Sequence, residues 1–127
     1  MYTIADLPID NRLRTVQYDL ELETALRRMF ENDYTQVGVE RDGELVGIVT
    51  YRSVVRTLLA FHQLDVGHKT LDKISVGAAV EDAHTVSEDE TVLAVFDALA
   101  EHTYIVVDGG EAWQILTDYD LLTRLKR

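Results

Sequence analysis

Two short stretches set side chains where a small molecule could be held. Thr117-Asp118-Tyr119-Asp120 places a hydroxyl and a carboxylate three residues apart, and Thr50-Tyr51-Arg52-Ser53 places two hydroxyls at the same spacing with an arginine between them. Each follows an apolar run, Ile115-Leu116 or Ile48-Val49, and each opens a stretch with helical apolar spacing. A threonine where a strand gives way to a helix holds its hydroxyl beside backbone N–H groups that the helix leaves unpaired, and small ligands bind at such places. The same residues also suit a purely structural task. Threonine is a good N-cap, and an acid in the first turn is favoured by the helix dipole.

Other chemistry has little support. Cysteine is absent, which excludes disulfides, thiolate catalysis and zinc ribbons. There is no Gly-x-Ser-x-Gly, no phosphate loop and no base-plus-nucleophile set, so neither catalytic residues nor an enzyme is expected. His62, His68, His84 and His102 form neither HExxH nor a close i, i+4 pair, and no metal site is expected. His62 and His68 flank a linker and are expected to face solvent, while His102 ends a helix, where an imidazolium suits the dipole. His84, beside Thr85-Val86, and its counterpart Arg14 fit either a cleft or exposed strand ends. The run Asp19-Leu20-Glu21-Leu22-Glu23 alternates polar with apolar and reads as a strand end or exposed edge. Trp113, Phe61 and Tyr119 fit either the core or an exposed patch for a partner.

The elements that position these residues occur twice. Gly43 to Val55 returns 67 residues later as Gly110 to Leu122, and Ile4 to Val16 matches Ile74 to Val86 at an offset of 70. The change of offset assigns repeat 1 three additional residues within Gln17–Leu22. Each repeat reads strand, helix, strand, strand, helix. Leu26, Met29 and Phe30 share one helical face, as do Val92, Val95, Phe96 and Leu99, with Thr24 and Thr91 as N-caps. Gln36–Glu40 and Leu45–Val49, and likewise Tyr104–Val107 and Ala112–Leu116, are strands of a hairpin, turning at Arg41-Asp42-Gly43 and Asp108-Gly109-Gly110. Val54, Val55, Leu58 and Leu59 stripe one closing helix; Leu121, Leu122 and Leu125 stripe the other. The domain reading is repeat 1 over 1–64, a linker over 65–73 and repeat 2 over 74–127. A βαββα unit leaves one sheet face apolar and open, so the expected fold is α/β (α+β), two such repeats packed sheet to sheet with pseudo-twofold symmetry.

The 127 residues suffice for one core, and each half is too small to stand comfortably alone. Asp plus Glu number 23 against 12 Lys plus Arg, a net charge of −11. That balance argues against nucleic acid and anionic membranes as partners. Lysine occurs only at 69, 73 and 126, and an acidic, lysine-poor surface fits a protein from a salt-loving microbe, where screening tames self-repulsion. No run reaches the roughly 20 apolar residues of a membrane span and no signal-peptide pattern is present, so a cytoplasmic protein is expected.

The pattern Gly-hydrophobic-x-Thr/Ser-x-x-Asp after a hairpin, occurring twice, resembles the cystathionine-β-synthase (CBS) domain, and the tandem resembles a CBS pair, or Bateman module. The resemblance runs from about Ile4 to Leu125. It implies an α/β pair that often forms homodimers, with clefts for AMP, ADP, ATP or S-adenosylmethionine as a regulatory ligand and no catalytic cofactor. It further implies a sensor that signals to a protein effector by changing conformation; the alternative is a structural or dimerisation module without ligand. Carried over by position, Thr117 and Asp120 hydrogen-bond the ribose, Tyr104 and Ile105 flank the base, and Ala79, Val80 and His84 close that pocket. Repeat 1 departs from the pattern: Thr50 is kept, Ser53 replaces the aspartate, and Val37-Gly38 stand where Pro-Val is common. Arg52 and Arg56 bring positive charge that suits a phosphate, with Arg14 as the counterpart of His84. A different ligand, the phosphate end of one held mainly by repeat 2, or no ligand fits repeat 1. In repeat 2, Gln114 stands where the motif glycine is expected, with Trp113 before it. Asp118 beside Asp120 disfavours phosphates there, which points to adenosine or S-adenosylmethionine.

Overall fold

Apolar strands and amphipathic helices alternate in the order the repeat requires. The computed structural model describes residues 3–4, 12–63, 73–109 and 112–125. The elements are β1 (Thr15–Gln17), α1 (Leu22–Asn32), β2 (Gln36–Arg41), β3 (Glu44–Thr50), α2 (Tyr51–Gln63), a 3-10 turn (Val76–Ala79), β4 (Thr85–Ser87), α3 (Val92–Glu101), β5 (Tyr104–Asp108), β6 (Trp113–Thr117) and α4 (Asp118–Leu125). Two three-stranded sheets result, β1-β2-β3 and β4-β5-β6. In each, the short first strand runs parallel to the second, and the second and third form an antiparallel hairpin. The mixed α/β architecture expected from the sequence is therefore present. The first hairpin turns at Asp42 and Gly43, both at positive φ, where Gly avoids the steric cost of a side chain.

The chain forms two compact units, Arg14–Asp82 and Met1–Leu13 with Ala83–Arg127. Each unit thus takes its βαββα core from one repeat and its lead-in segment from the other. In the Arg14–Asp82 unit, Leu22 N–H donates to Ile74 O at 2.7 Å and Val76 N–H to Leu20 O at 2.7 Å. Val76 and Ala79 join a core of Leu22, Ala25, Met29, Val37, Val39 and Val49. In the other unit Ile4 N–H donates to Glu90 O at 2.9 Å and Leu13 N–H to Trp113 O at 2.9 Å, and Ile4 packs with Val95, Ile105, Val107, Leu116 and Leu121. A βαββα core of this size buries little apolar area, and the borrowed segment adds to it.

Several local expectations need correction. Thr24 is not an N-cap: α1 starts at Leu22 with Glu21 before it and no side-chain cap. The Leu22 N–H is instead taken by Ile74 O, so a tertiary contact does the work of a cap. Thr91 does cap α3, its hydroxyl accepting from Ala94 N–H at 3.2 Å. The run Asp19–Glu23 is a turn and the first residues of α1, with Leu22 buried, because its alternation coincides with a helix start. The three-residue difference between repeats does not fall within Gln17–Leu22. The helix starts Leu22 and Val92 differ by 70, the strand starts Gln36 and Tyr104 by 68, and the strand ends Thr50 and Thr117 by 67. Two extra residues therefore lie in α1 and the loop behind it, and one in the first hairpin, where the register shifts between Val39 and Glu40.

Phe30 is 63% exposed and stacks on Tyr51 with ring centroids 5.6 Å apart; Leu22, Ala25, Leu26 and Met29 make the buried face of α1. Of the expected stripes, Val54 and Leu121 are buried while Val55, Leu58, Leu59 and Leu122 are exposed. Phe61 is half-buried against the first core, Trp113 is half-buried, and Tyr119 is exposed. The linker up to residue 72, His68 and the side chains of His62 and Leu125 lie outside the described residues.

Candidate functional site

Both strand-to-helix junctions close on themselves in the same way. At the second, Asp120 N–H donates to the Thr117 hydroxyl and Thr117 N–H donates to Asp120 Oδ2, each at 3.2 Å. At the first, Ser53 N–H donates to the Thr50 hydroxyl at 3.1 Å and Thr50 N–H to Ser53 Oγ at 2.9 Å. These are reciprocal capping boxes, built on Asp and Ser in place of the usual Glu. The threonine-plus-three spacing thus has the structural role that the sequence left open, and it fixes the orientation of both side chains.

The junctions differ in what remains after capping. Ser53 is 4% exposed, and its own O–H donates to Thr50 O at 2.9 Å. The Thr50 O–H donates to Glu81 Oε1 at 3.1 Å, and Glu81 Oε2 lies 3.7 Å from Arg56 Nη1. Thr57 Oγ1 on the next turn of α2 reaches Ser53 O at 2.8 Å and Ala78 O at 3.3 Å. At the second junction Thr117 and Asp120 are half-buried, and among the described residues the Thr117 O–H has no acceptor. A carboxylate offers two acceptor oxygens, which is the chemistry a vicinal diol calls for.

Glu81 was not among the residues singled out from the sequence. It lies 31 residues from Thr50, and no local pattern marks it. What delivers it is a two-way bridge: Ile48 N–H donates to Glu81 O and Glu81 N–H to Ile48 O, both at 2.9 Å. Gly47 makes room for that strap, since a Cβ there would run into Glu81 O and the Val80 side chain. This explains the motif glycine of the first copy. At the corresponding place in the second, Arg12 bridges to Gln114, and Gln114 Oε1 is buried with no hydrogen-bond partner among the described residues.

The remaining sequence-predicted residues divide between the units. Val37 is a core residue, and Gly38 N–H donates to Arg14 O at 2.7 Å. The Arg14 side chain and Arg52 are exposed. Ala79 and Val80, expected beside Thr117 and Asp120, are in the unit of Thr50 and Ser53: Ala79 is buried in its core and Val80 packs against it. The exchange of lead-in segments is the reason. In the other unit Tyr104 pairs with Thr117 across the hairpin, and Ile105 is fully buried in the core. His84 O accepts from Val106 N–H at 2.8 Å, as Arg14 O does from Gly38, and its exposed ring stacks on His102 at 4.6 Å. Among the described residues no group of three or more His, Asp or Glu is placed to hold a metal ion, and no helix is long and apolar enough to cross a membrane.

With this geometry in view, the family comparison is specific. The CBS domain model matches residues 4–60 and 76–127. No curated protein matches. Among solved structures, a conserved CBS-domain protein of unknown function from Thermoplasma acidophilum is 21% identical, with a TM-score of 0.77, over 99% of this chain and 70% of its own. CBSX2, solved in complex with AMP, is 21% identical with a TM-score of 0.75 over 100% of both chains. An uncharacterised conserved protein from Pyrococcus horikoshii is 22% identical, with a TM-score of 0.74, over 98% of this chain and 92% of its own. These likenesses show a shared fold.

Proposed function

We propose that this chain, which belongs to the CBS domain family, is a cytoplasmic regulatory module that binds an adenosine-containing ligand and is not itself an enzyme. The observation that carries the reading is the Thr117–Asp120 pair. Its orientation is fixed by reciprocal capping at 3.2 Å, and a half-buried hydroxyl and carboxylate are held side by side at a helix start. A carboxylate accepting from both hydroxyls of a ribose makes charge-assisted hydrogen bonds, roughly twice as strong as neutral ones. The AMP complex of a neighbour that aligns over this whole chain supports the ligand class. Signalling follows if the ligand binds two arrangements of the protein unequally, shifting their populations toward the one an effector reads.

Homodimerisation is part of the proposal. Val55 and Leu122 occupy equivalent positions in the two repeats and are 64% and 61% exposed, and the same helices leave Leu59 and Tyr119 uncovered. Those apolar positions favour a second copy as the occupant, and they also support the second reading, a dimerisation module that needs no ligand.

Thermal unfolding in high salt with AMP, ADP, ATP and S-adenosylmethionine separates the two readings. The sensor reading expects a melting temperature that rises with ligand concentration. It further expects Asp120→Ala to remove most of the rise and Ser53→Ala to leave most of it. No rise with any of the four, or an undiminished rise in Asp120→Ala, overturns the assignment.

A further inference from the structure

The first junction is already occupied by the protein itself. The groups a nucleotide would use there are the Thr50 hydroxyl, for a ribose, and the Arg56 guanidinium, for a phosphate. Glu81 takes both, through Oε1 at 3.1 Å and Oε2 at 3.7 Å. Its backbone is pinned to Ile48 by two hydrogen bonds of 2.9 Å, and the strap lies so close over Gly47 that no side chain fits beneath it. The Glu81 side chain is 32% exposed, so the carboxylate sits at the surface of the junction, where an incoming ligand meets it. A phosphate brought there would find the charge of Arg56 offset by the carboxylate beside it, so the attraction of a free arginine is lost.

We propose that Glu81 is the specificity-determining residue of the first junction, selecting a neutral or cationic ligand group over a phosphate. The inference rests on the reading of the junctions as ligand sites, and it adds a chemical asymmetry that the repeated motif does not display. In this role Glu81 acts by charge. The isosteric amide keeps an acceptor for the Thr50 hydroxyl but removes the repulsion and frees Arg56.

The test is calorimetric titration of the full chain with AMP and with adenosine, in an Asp120→Ala background that silences the second junction. With Glu81 present, AMP is expected to bind no more tightly than adenosine. Glu81→Gln is expected to raise AMP affinity about tenfold, the scale of one charge-assisted contact, with little change for adenosine. Adding Arg56→Ala to Glu81→Gln is expected to cancel that gain, which a general loosening of the strap would not do. An AMP-to-adenosine ratio unmoved by Glu81→Gln overturns the proposal, and if the unsubstituted chain still binds nucleotide, the sensor reading survives it. Absence of binding to the unsubstituted chain and to every variant overturns both. Circular-dichroism melts of each variant confirm that the comparison is between folded proteins.

Discussion

The Thr50–Ser53 and Thr117–Asp120 junctions share a backbone plan and diverge in the partners their hydroxyls take. At the first, both hydroxyls are used within the unit: Ser53 bridges the N–H and C=O of Thr50, and Thr50 donates to Glu81. At the second, the carboxylate of Asp120 caps Thr117, and the Thr117 proton has no acceptor among the described residues. A capping box and a ligand site draw on the same atoms. Serine spends its one donor on the Thr50 carbonyl, whereas an aspartate carries two acceptor oxygens and no proton to give. One change of residue type at one position therefore alters what each junction presents to a ligand while keeping the same cap.

The largest expected effect tests the strap that distinguishes the first junction. Gly47→Ala should lower stability by about 3 kcal/mol, because the new methyl meets Glu81 O and Val80 in a segment fixed by backbone hydrogen bonds. Gln114→Ala, at the corresponding position, should change stability by less than about 1 kcal/mol, since it removes a buried acceptor that has no partner among the described residues. Urea unfolding of both variants measures the difference. Equal costs would mean that the two lead-in segments approach their hairpins alike.

The next effect concerns the caps. Ser53→Ala should cost about 2 kcal/mol, for the buried Ser53 side chain is the acceptor of Thr50 N–H and water has little access to replace it. Asp120→Ala should cost about 1 kcal/mol, because Asp120 is only half-buried and water can replace the lost cap. Ligand binding is expected to rank the two substitutions in the opposite order. A single ranking for stability and binding would erase the distinction between the junctions.

Much of this was legible in the chain. The repeat and the strand and helix order follow from periodicity and turn chemistry, because those signals are local. The family pattern also located the difference between Ser53 and Asp120. What escaped was long-range. Glu81 and Val80 reach the first junction only because each lead-in segment packs with the other repeat, and neither period nor spacing encodes that exchange. The start of α1 is set by the same kind of long-range contact: Thr24 has the right chemistry for a cap, but Ile74 O satisfies the helix two residues earlier. The extra residues of repeat 1 are three single insertions, in a helix, a loop and a bulge, which in sequence look like one.

The smallest effect decides what holds Glu81 in place. The Arg56–Glu81 pair is long at 3.7 Å, and the Arg56 side chain is 67% exposed. Ion pairs of that kind contribute about 0–1 kcal/mol, since solvent screens them and two flexible side chains must be ordered. Arg56→Ala is therefore expected to cost less than about 0.5 kcal/mol in urea unfolding, with the strap still held by its two hydrogen bonds to Ile48 and by its fit over Gly47. A loss above about 1.5 kcal/mol would show that the ion pair anchors the strap. Glu81 would then be a structural residue whose charge is already spent, and the first junction would differ from the second in its cap alone.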